Sequence, residues 1–267
     1  MIRPPSRPRE ADVRGHYDEL DPLYRELWGE DLHHGLWEGP EDDAEAAVRR
    51  LTDRVAGAAA VGAGDRVCDV GCGYGKMAEA LARERGTRVT GYTLSSAQRE
   101  VAAARSSGGR GALEFVRGDW LHAESRPGEY DAVIAVESTA HMEDKEGFYG
   151  KAHRELRAGG RLVVCAWSCA EEPRPWQLRH LLVPICREGH LASLLSAEEH
   201  LDLCRASGFR VEEAEDLTSR VRRTWDVCLR RMAVALGRGH TWTYLLDRGR
   251  RERRFALTVG RIWLAFR

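Results

Sequence analysis

Three glycines in five residues, Gly71, Gly73 and Gly75, stand between the apolar run "VCDV" and the amphipathic run "KMAEAL". A strand that ends near Asp69 and turns through bare backbone into a helix lets a ligand come against the main chain. The spacing is GxGxG. Dinucleotide binding asks for GxGxxG, and its last position here is Lys76. The phosphate loop GxxxxGK[ST] is absent, which excludes a P-loop. A nicotinamide cofactor also needs an acid about 20 residues past the first glycine. The stretch "GYTLSSAQ" offers Thr93, Ser95 and Gln98 there, and no acid. Further on, "VRGDWLH" places Asp119 just after a strand, where a carboxylate can accept from an adenine amino group, and Trp120 beside it could cover the ring face. His141 follows another strand. An imidazole suits proton removal near neutral pH, so His141 is the candidate base, with substrate orientation or capping of the next helix as the alternative role.

These side chains need a scaffold that brings strand ends together. Helical periodicity runs from Asp12 to about Trp28 and from Asp42 to Ala60. Strands are expected at 65–70, 87–92, 113–118, 131–137 and 161–167, with helices at 76–85, 95–105 and 143–157 between them. Strands separated by helical segments predict βαβ units in an α/β fold with a doubly wound, mostly parallel sheet. The expected division is a disordered arm at 1–10, an N-terminal helical segment at 11–60, a core at 61–168 and a helical cap at 169–267. That cap carries a sixth strand near 208–217 and a last helix over 241–266.

At these motifs the chain resembles the class I S-adenosylmethionine (SAM)-dependent methyltransferases. "VCDVGCGYG", "GYTLSSAQ", "GDW", "ESTAHMEDKEGFY" and "LRAGGRLVVCAW" occur in order. The upstream "HYDELDPLYRELWGEDLHHGLWEG" extends the likeness to the subgroup of γ-tocopherol and natural-product methyltransferases, relatives of cyclopropane fatty acid synthases. The resemblance implies a Rossmann-like fold, SAM as cofactor and S-adenosylhomocysteine (SAH) as product. It also implies that Asp69, Gly71 and Gly73 face the methionine moiety, that Thr93, Leu94 and Gln98 serve the ribose, and that Asp119 and Trp120 hold the adenine. Glu137 and Ser138 would lie close to the sulfonium, and His33 and His34 would close over the cofactor's carboxylate. One departure matters: the strand-four loop reads Ala140-His141 where the cyclopropane synthases and tocopherol methyltransferases read Glu-His; that glutamate binds bicarbonate in cyclopropane synthases, so its loss argues against their chemistry here.

The remaining features set the acceptor class. Net charge is -1, which gives no general attraction to nucleic acid or anionic membrane, and "ESTA" replaces the [DN]PPY of amino-methylating DNA enzymes. Seven cysteines lie mostly in apolar runs at spacings that match no zinc or redox motif, so reduced thiols in a cytoplasmic protein are expected. His33-His34 matches no metal-ligand pattern, and no metal is expected. No apolar run approaches a membrane span. Trp167, Trp176, Leu182, Ile185, Trp225, Met232 and Trp242 supply either the wall of an acceptor pocket or the core of the cap. As a set they predict a hydrophobic small-molecule acceptor, methylated at O, N or C, in antibiotic-type biosynthesis, by a monomer or homodimer. The alternative is a SAM-bound cyclase or another non-methylating enzyme on the same fold, or a prenyl- or lipid-like C-methyltransferase.

Overall fold

The computed structural model describes residues 1–39, 41–239, 242, 246 and 254–267. Five strands form one parallel sheet: β1 (Arg66–Val70), β2 (Arg88–Thr93), β3 (Ala112–Arg117), β4 (Tyr130–Val136) and β5 (Leu156–Cys165), in the order β3-β2-β1-β4-β5. β1 and β4 lie in the middle and are buried almost throughout. Their residues "RVCDV" and "YDAVIAV" are near-continuous apolar runs, as a strand covered on both faces requires. Parallel pairing needs long crossovers. α3 (Lys76–Ala80), α4 (Ser96–Ala103) and α5 (Lys145–Glu155) supply three of them, while β3 returns to β4 through only a short 3₁₀ turn, Trp120–His122. The strand order reverses between β1 and β4, and the crevice beyond their carboxyl ends is where an open α/β sheet takes its ligand.

Two helices precede the sheet. α1 (Glu10–Leu27) buries Val13, Leu20, Leu23 and Leu27 on one stripe, and α2 (Ala44–Ala59), capped by the Asp43 carboxylate on the Ala46 N–H, packs on β4 and β5. The cap is built from α6 (Pro175–Gln177), α7 (Val183–Glu188), α8 (Ala197–Ala206), α9 (Thr218–Val221), α10 (Arg223–Leu236) and α11 (Phe255–Ala265). A π-helical stretch, Leu178–Leu182, joins α6 to α7. Pro184 follows it and has no N–H to give, which disrupts the regular ladder at that point. One apolar cluster unites α1 with the cap through Leu20, Leu23, Ile185, Trp225, Met232 and Val259.

The structure departs from the sequence-based expectation in three places. Residues 209–217 form no strand. The stretch is acid-rich, and Glu212, Glu213 and Glu215 pair with Arg161 of β5 and Arg54 of α2, so side-chain ion pairs stand where a ladder was expected. The arm at 1–10 is partly ordered: Ile2 is buried and exchanges both backbone hydrogen bonds with Leu194. β5 begins at Leu156, five residues before the expected strand. Of the helix expected over 241–266, α11 accounts for the end; most of 240–253 lies outside the described residues, with His240 and nearly all of the arginine run at 248–254. No described helix is long and apolar enough to cross a membrane.

Candidate active site

The glycine loop divides its work. Gly71 (φ 82°), Gly73 (φ 55°) and Gly75 (φ 76°) all occupy the left-handed region, which costs other residues energy. A Cβ on Gly71 would stand 2.3 Å from Ser138 Cβ, and on Gly75 2.7 Å from the Phe115 ring. Those two glycines serve internal packing. Gly73 alone faces open space, with nothing within 4 Å of its Cβ position, and is the point where a ligand can meet the backbone. The loop is pinned by the Gly71 and Cys72 N–H groups on the Tyr92 carbonyl, both 2.9 Å, and the Ser138 hydroxyl reaches the Val70 carbonyl at 2.6 Å. Asp69 lies one residue before the end of β1. Its Oδ2 is buried and has no partner, and burial raises its carboxyl to about 7. A cation there would supply what the carboxylate lacks.

The second strand end is closed by α1. Asp18 accepts from the Ser95 hydroxyl at 2.5 Å and from the Ala97 N–H at 3.2 Å, capping α4 from outside, while the Tyr74 hydroxyl donates to Asp21 at 2.5 Å. Thr93 and Gln98 are buried and bonded to each other at 2.8 Å; Leu94 beside them is half-buried. At the third strand end, Asp119 accepts from the Leu121 N–H at 2.9 Å and holds His122 Nδ1 at the same distance. Trp120 does not face the crevice as expected. It is 3% exposed, edge-on to Phe148 and beneath the Lys151 ammonium, so apolar burial has taken the ring into the core.

The fourth strand end gathers a carboxylate and two histidines from distant parts of the chain. Glu137, in the left-handed conformation at φ 55°, accepts from the His34 backbone N–H, from His34 Nδ1 and from the Trp167 indole, each at 2.8 Å. Burial opposes its charge, but these donors and the neighbouring His33 bring its carboxyl down to about 2. The Trp225 indole donates to His34 Nε2 at 2.7 Å, so that nitrogen is an acceptor and Nδ1 carries the hydrogen. His33 turns the other way, its Nδ1 on the His34 carbonyl and its buried Nε2 without a hydrogen bond, 3.9 Å from Asp31 Oδ1. Four residues past Glu137, His141 Nδ1 donates to the His190 carbonyl at 3.1 Å, which leaves Nε2 to accept from the Tyr17 hydroxyl at 2.9 Å. Burial lowers the His141 imidazole to about 4, so it is neutral at pH 7.

Tyr17, Trp28, Glu137, His141, Trp167 and Trp225 line a common cavity of about 100 Å³, enough for the reacting end of a ligand. Among the aromatic and apolar candidates, Trp167, Ile185 and Trp225 face this space, whereas Leu182 and Met232 pack in the cap core and Trp176 and Trp242 are exposed. Reading the sequence missed Tyr17, Asp18 and Asp21, whose partners lie 53 to 124 residues away. Their one signal was an α1 polar face too rich in specific donors and acceptors. All seven cysteines are free thiols, and no metal-holding group occurs among the described residues.

The open approach at Gly73 and the unpartnered Asp69 oxygen fit SAM, which brings an amino-acid tail with an ammonium group. The comparisons agree. The mycolic acid cyclopropane synthetase family matches residues 5–237. The 27-O-demethylrifamycin SV methyltransferase of Amycolatopsis mediterranei (strain S699) is 33% identical over 222 residues, 82% of this chain and 81% of that protein. The [4+2]-cyclase SpnF superposes with a TM-score of 0.80 at 28% identity, covering 97% of this chain and 92% of its own. The mycolic acid cyclopropane synthase CmaA1, solved with SAH and CTAB, superposes at 0.83 with 18% identity, covering 98% and 94%. With the glycine loop, the β1/β4 crevice and these relatives in agreement, this chain is a SAM-dependent methyltransferase belonging to the mycolic acid cyclopropane synthetase family.

Proposed function

We propose that the protein transfers a methyl group to a hydroxyl of a hydrophobic natural product, with His141 as the proton acceptor. One observation carries the reading: His141 Nε2 is unprotonated, held in its tautomer by the His190 carbonyl, and turned into the cavity toward the Tyr17 hydroxyl. SAM, when bound, supplies an electrophilic methyl group on a sulfonium. The acceptor hydroxyl takes Tyr17's place as donor to Nε2. Its proton moves to that nitrogen as the oxygen gains the methyl group, because the oxygen becomes acidic at that moment. An imidazole pushed down to about 4 is a weak base toward a free alcohol, so removal accompanies transfer rather than preceding it. Burial pushes the Tyr17 hydroxyl up, so it stays a donor that holds His141 in place until the acceptor arrives. The aromatic walls exclude water and suit a step in which charge is lost from the sulfonium.

The name of the 27-O-demethylrifamycin SV methyltransferase supports oxygen as the acceptor atom. Ala140 stands where cyclopropane synthases carry the bicarbonate-binding glutamate, which speaks against cyclopropanation. The likeness to a cyclase favours one second reading, a chain that binds SAM and shapes a substrate for ring closure. Incubation with methyl-labelled SAM and hydroxylated polyketides separates the two. His141→Ala is expected to lose about 10²–10³ in kcat with SAM affinity unchanged; an unchanged rate removes His141 from the reaction.

A further inference from the structure

Lys145 is a buried cation that the proposed reaction does not use. It is 4% exposed and opens α5, four residues past His141. Burial pushes its ammonium down to about 8, and a helix N-terminus is the wrong end for a positive charge. Its Nζ donates to the Met142 carbonyl at 2.9 Å and to the Ser193 hydroxyl at 2.6 Å, and among the described residues no carboxylate pairs with it. An ammonium kept under these conditions is costly. What it achieves is a tie between two segments, its own and one 48 residues away. The first segment carries His141 and the second fixes it. The Ala140 carbonyl accepts from the Ala192 and Ser193 N–H groups at 2.9 and 3.3 Å, and the His190 carbonyl receives the His141 Nδ1 hydrogen at 3.1 Å. His190 lies in the left-handed region at φ 51°, where a residue with a Cβ stays only if its surroundings hold it. Upstream, Glu188 accepts from the Thr258 hydroxyl of α11 at 2.8 Å; downstream, Leu194 exchanges backbone hydrogen bonds with Ile2. Between these anchors the Lys145 ammonium grips the His141 loop and the 190–194 segment at once.

We propose that Lys145 is a positioning residue: it clamps the strand-four loop to residues 190–194, so that the His190 carbonyl keeps the His141 hydrogen on Nδ1 and leaves Nε2 bare toward the cavity. Which ring nitrogen holds the hydrogen is set by the bonds the ring makes. Loosening the clamp therefore lets the ring carry its hydrogen on Nε2, with the Tyr17 hydroxyl turning from donor to acceptor. In that tautomer Nε2 has no lone pair for an incoming proton. The charge of Lys145 also adds to burial in keeping the ring neutral. The inference rests on His141 as the proton acceptor, yet its test needs no acceptor molecule.

The measurement is nitrogen NMR of the histidine rings in the whole chain near neutral pH, with His141→Ala identifying the His141 signals and a melting curve for each variant. Lys145→Met keeps a long stem and removes the ammonium. It is expected to hold about a tenth or more of His141 in the Nε2–H form, against the Nδ1–H form alone in the original chain. Asp144→Ala is the control. It removes the cap that the Asp144 carboxylate makes on the Gly147 N–H at 2.7 Å, which weakens the same helix and leaves the clamp in place. That variant should melt early with its His141 ring unchanged. A smaller Nε2–H share in Lys145→Met, or the same mixture in both variants, would overturn the proposal. Should Lys145→Met fail to fold, Ser193→Ala removes one of the two ties and is read against the same share: reaching it supports the clamp, and falling short refutes it. An Nε2–H ring in the original chain would instead sink His141 as the base, so the two failures are distinguishable.

Discussion

Replacing Gly73 by alanine separates the cost of backbone conformation from the cost of blocking a ligand. The residue sits at φ 55°, and an added Cβ would meet nothing within 4 Å. Folding should therefore lose only the left-handed penalty of about 1–2 kcal/mol. In a chain of this size each kcal/mol lowers Tm by about 2–4 °C, so the variant should melt a few degrees early and cooperatively. If the cofactor's tail lies against that backbone, the methyl group overpacks the complex by about 1–3 kcal/mol, roughly fivefold to 150-fold in Kd. Gly71→Ala is the contrast. Its Cβ would stand 2.3 Å from Ser138 Cβ and 2.9 Å from Ser138 Oγ, so the strand-four loop must move and folding itself should suffer. The assay is a melting curve and a SAM titration on both variants. A Gly73→Ala protein that binds SAM as tightly as the original would refute the placement of the cofactor.

Three further outcomes follow from charge and capping. Asp69→Asn should weaken SAM binding and flatten a pH slope in the protein alone. Because Asp69 is raised to about 7 from 3.8, the folded state holds its proton longer than the unfolded one, and stability falls as pH rises between those values; chemical denaturation at pH 5 and 8 reads the difference. His200, lowered by burial to about 4 from 6.5 and bonded to the Tyr149 hydroxyl at 2.7 Å, works the other way. Its stabilisation is complete above pH 6.5 and is lost as pH falls toward 4, so His200→Asn should lessen acid sensitivity in that window, as acid titration of the folded signal checks. Asp18→Ala removes the outside cap of α4 and should cost about 1 kcal/mol by denaturant melt, together with weaker SAM binding.

The sheet and its glycine loop were legible because local physics writes them. β1 and β4 are near-continuous apolar runs, and the strand-turn-helix at Gly71–Gly75 needs positive φ that only glycine accepts cheaply. Acid-rich "VEEAED" reads as a sixth strand because sequence does not say whether a ladder partner exists; ion pairs to Arg54 and Arg161 hold that stretch instead. Trp120 shows a different gap: its neighbour Asp119 is half-buried while the ring packs inward against Phe148 and beneath Lys151, both of α5. The roles of Gly71 and Gly73 were indistinguishable until Ser138 was seen against one and open space against the other. His34 with Glu137, and Tyr17 with His141, are joined across 103 and 124 residues, and no spacing rule connects such pairs.

The proposed reaction turns on transfer to oxygen beside His141. The most direct measurement is mass spectrometry of hydroxylated, hydrophobic natural products after incubation with methyl-labelled SAM and either the original chain or His141→Ala. One labelled methyl on an oxygen, formed by the original chain and nearly lost in the variant while SAM still binds, is the predicted result. Unlabelled, ring-closed product, or transfer that survives loss of His141, would contradict it.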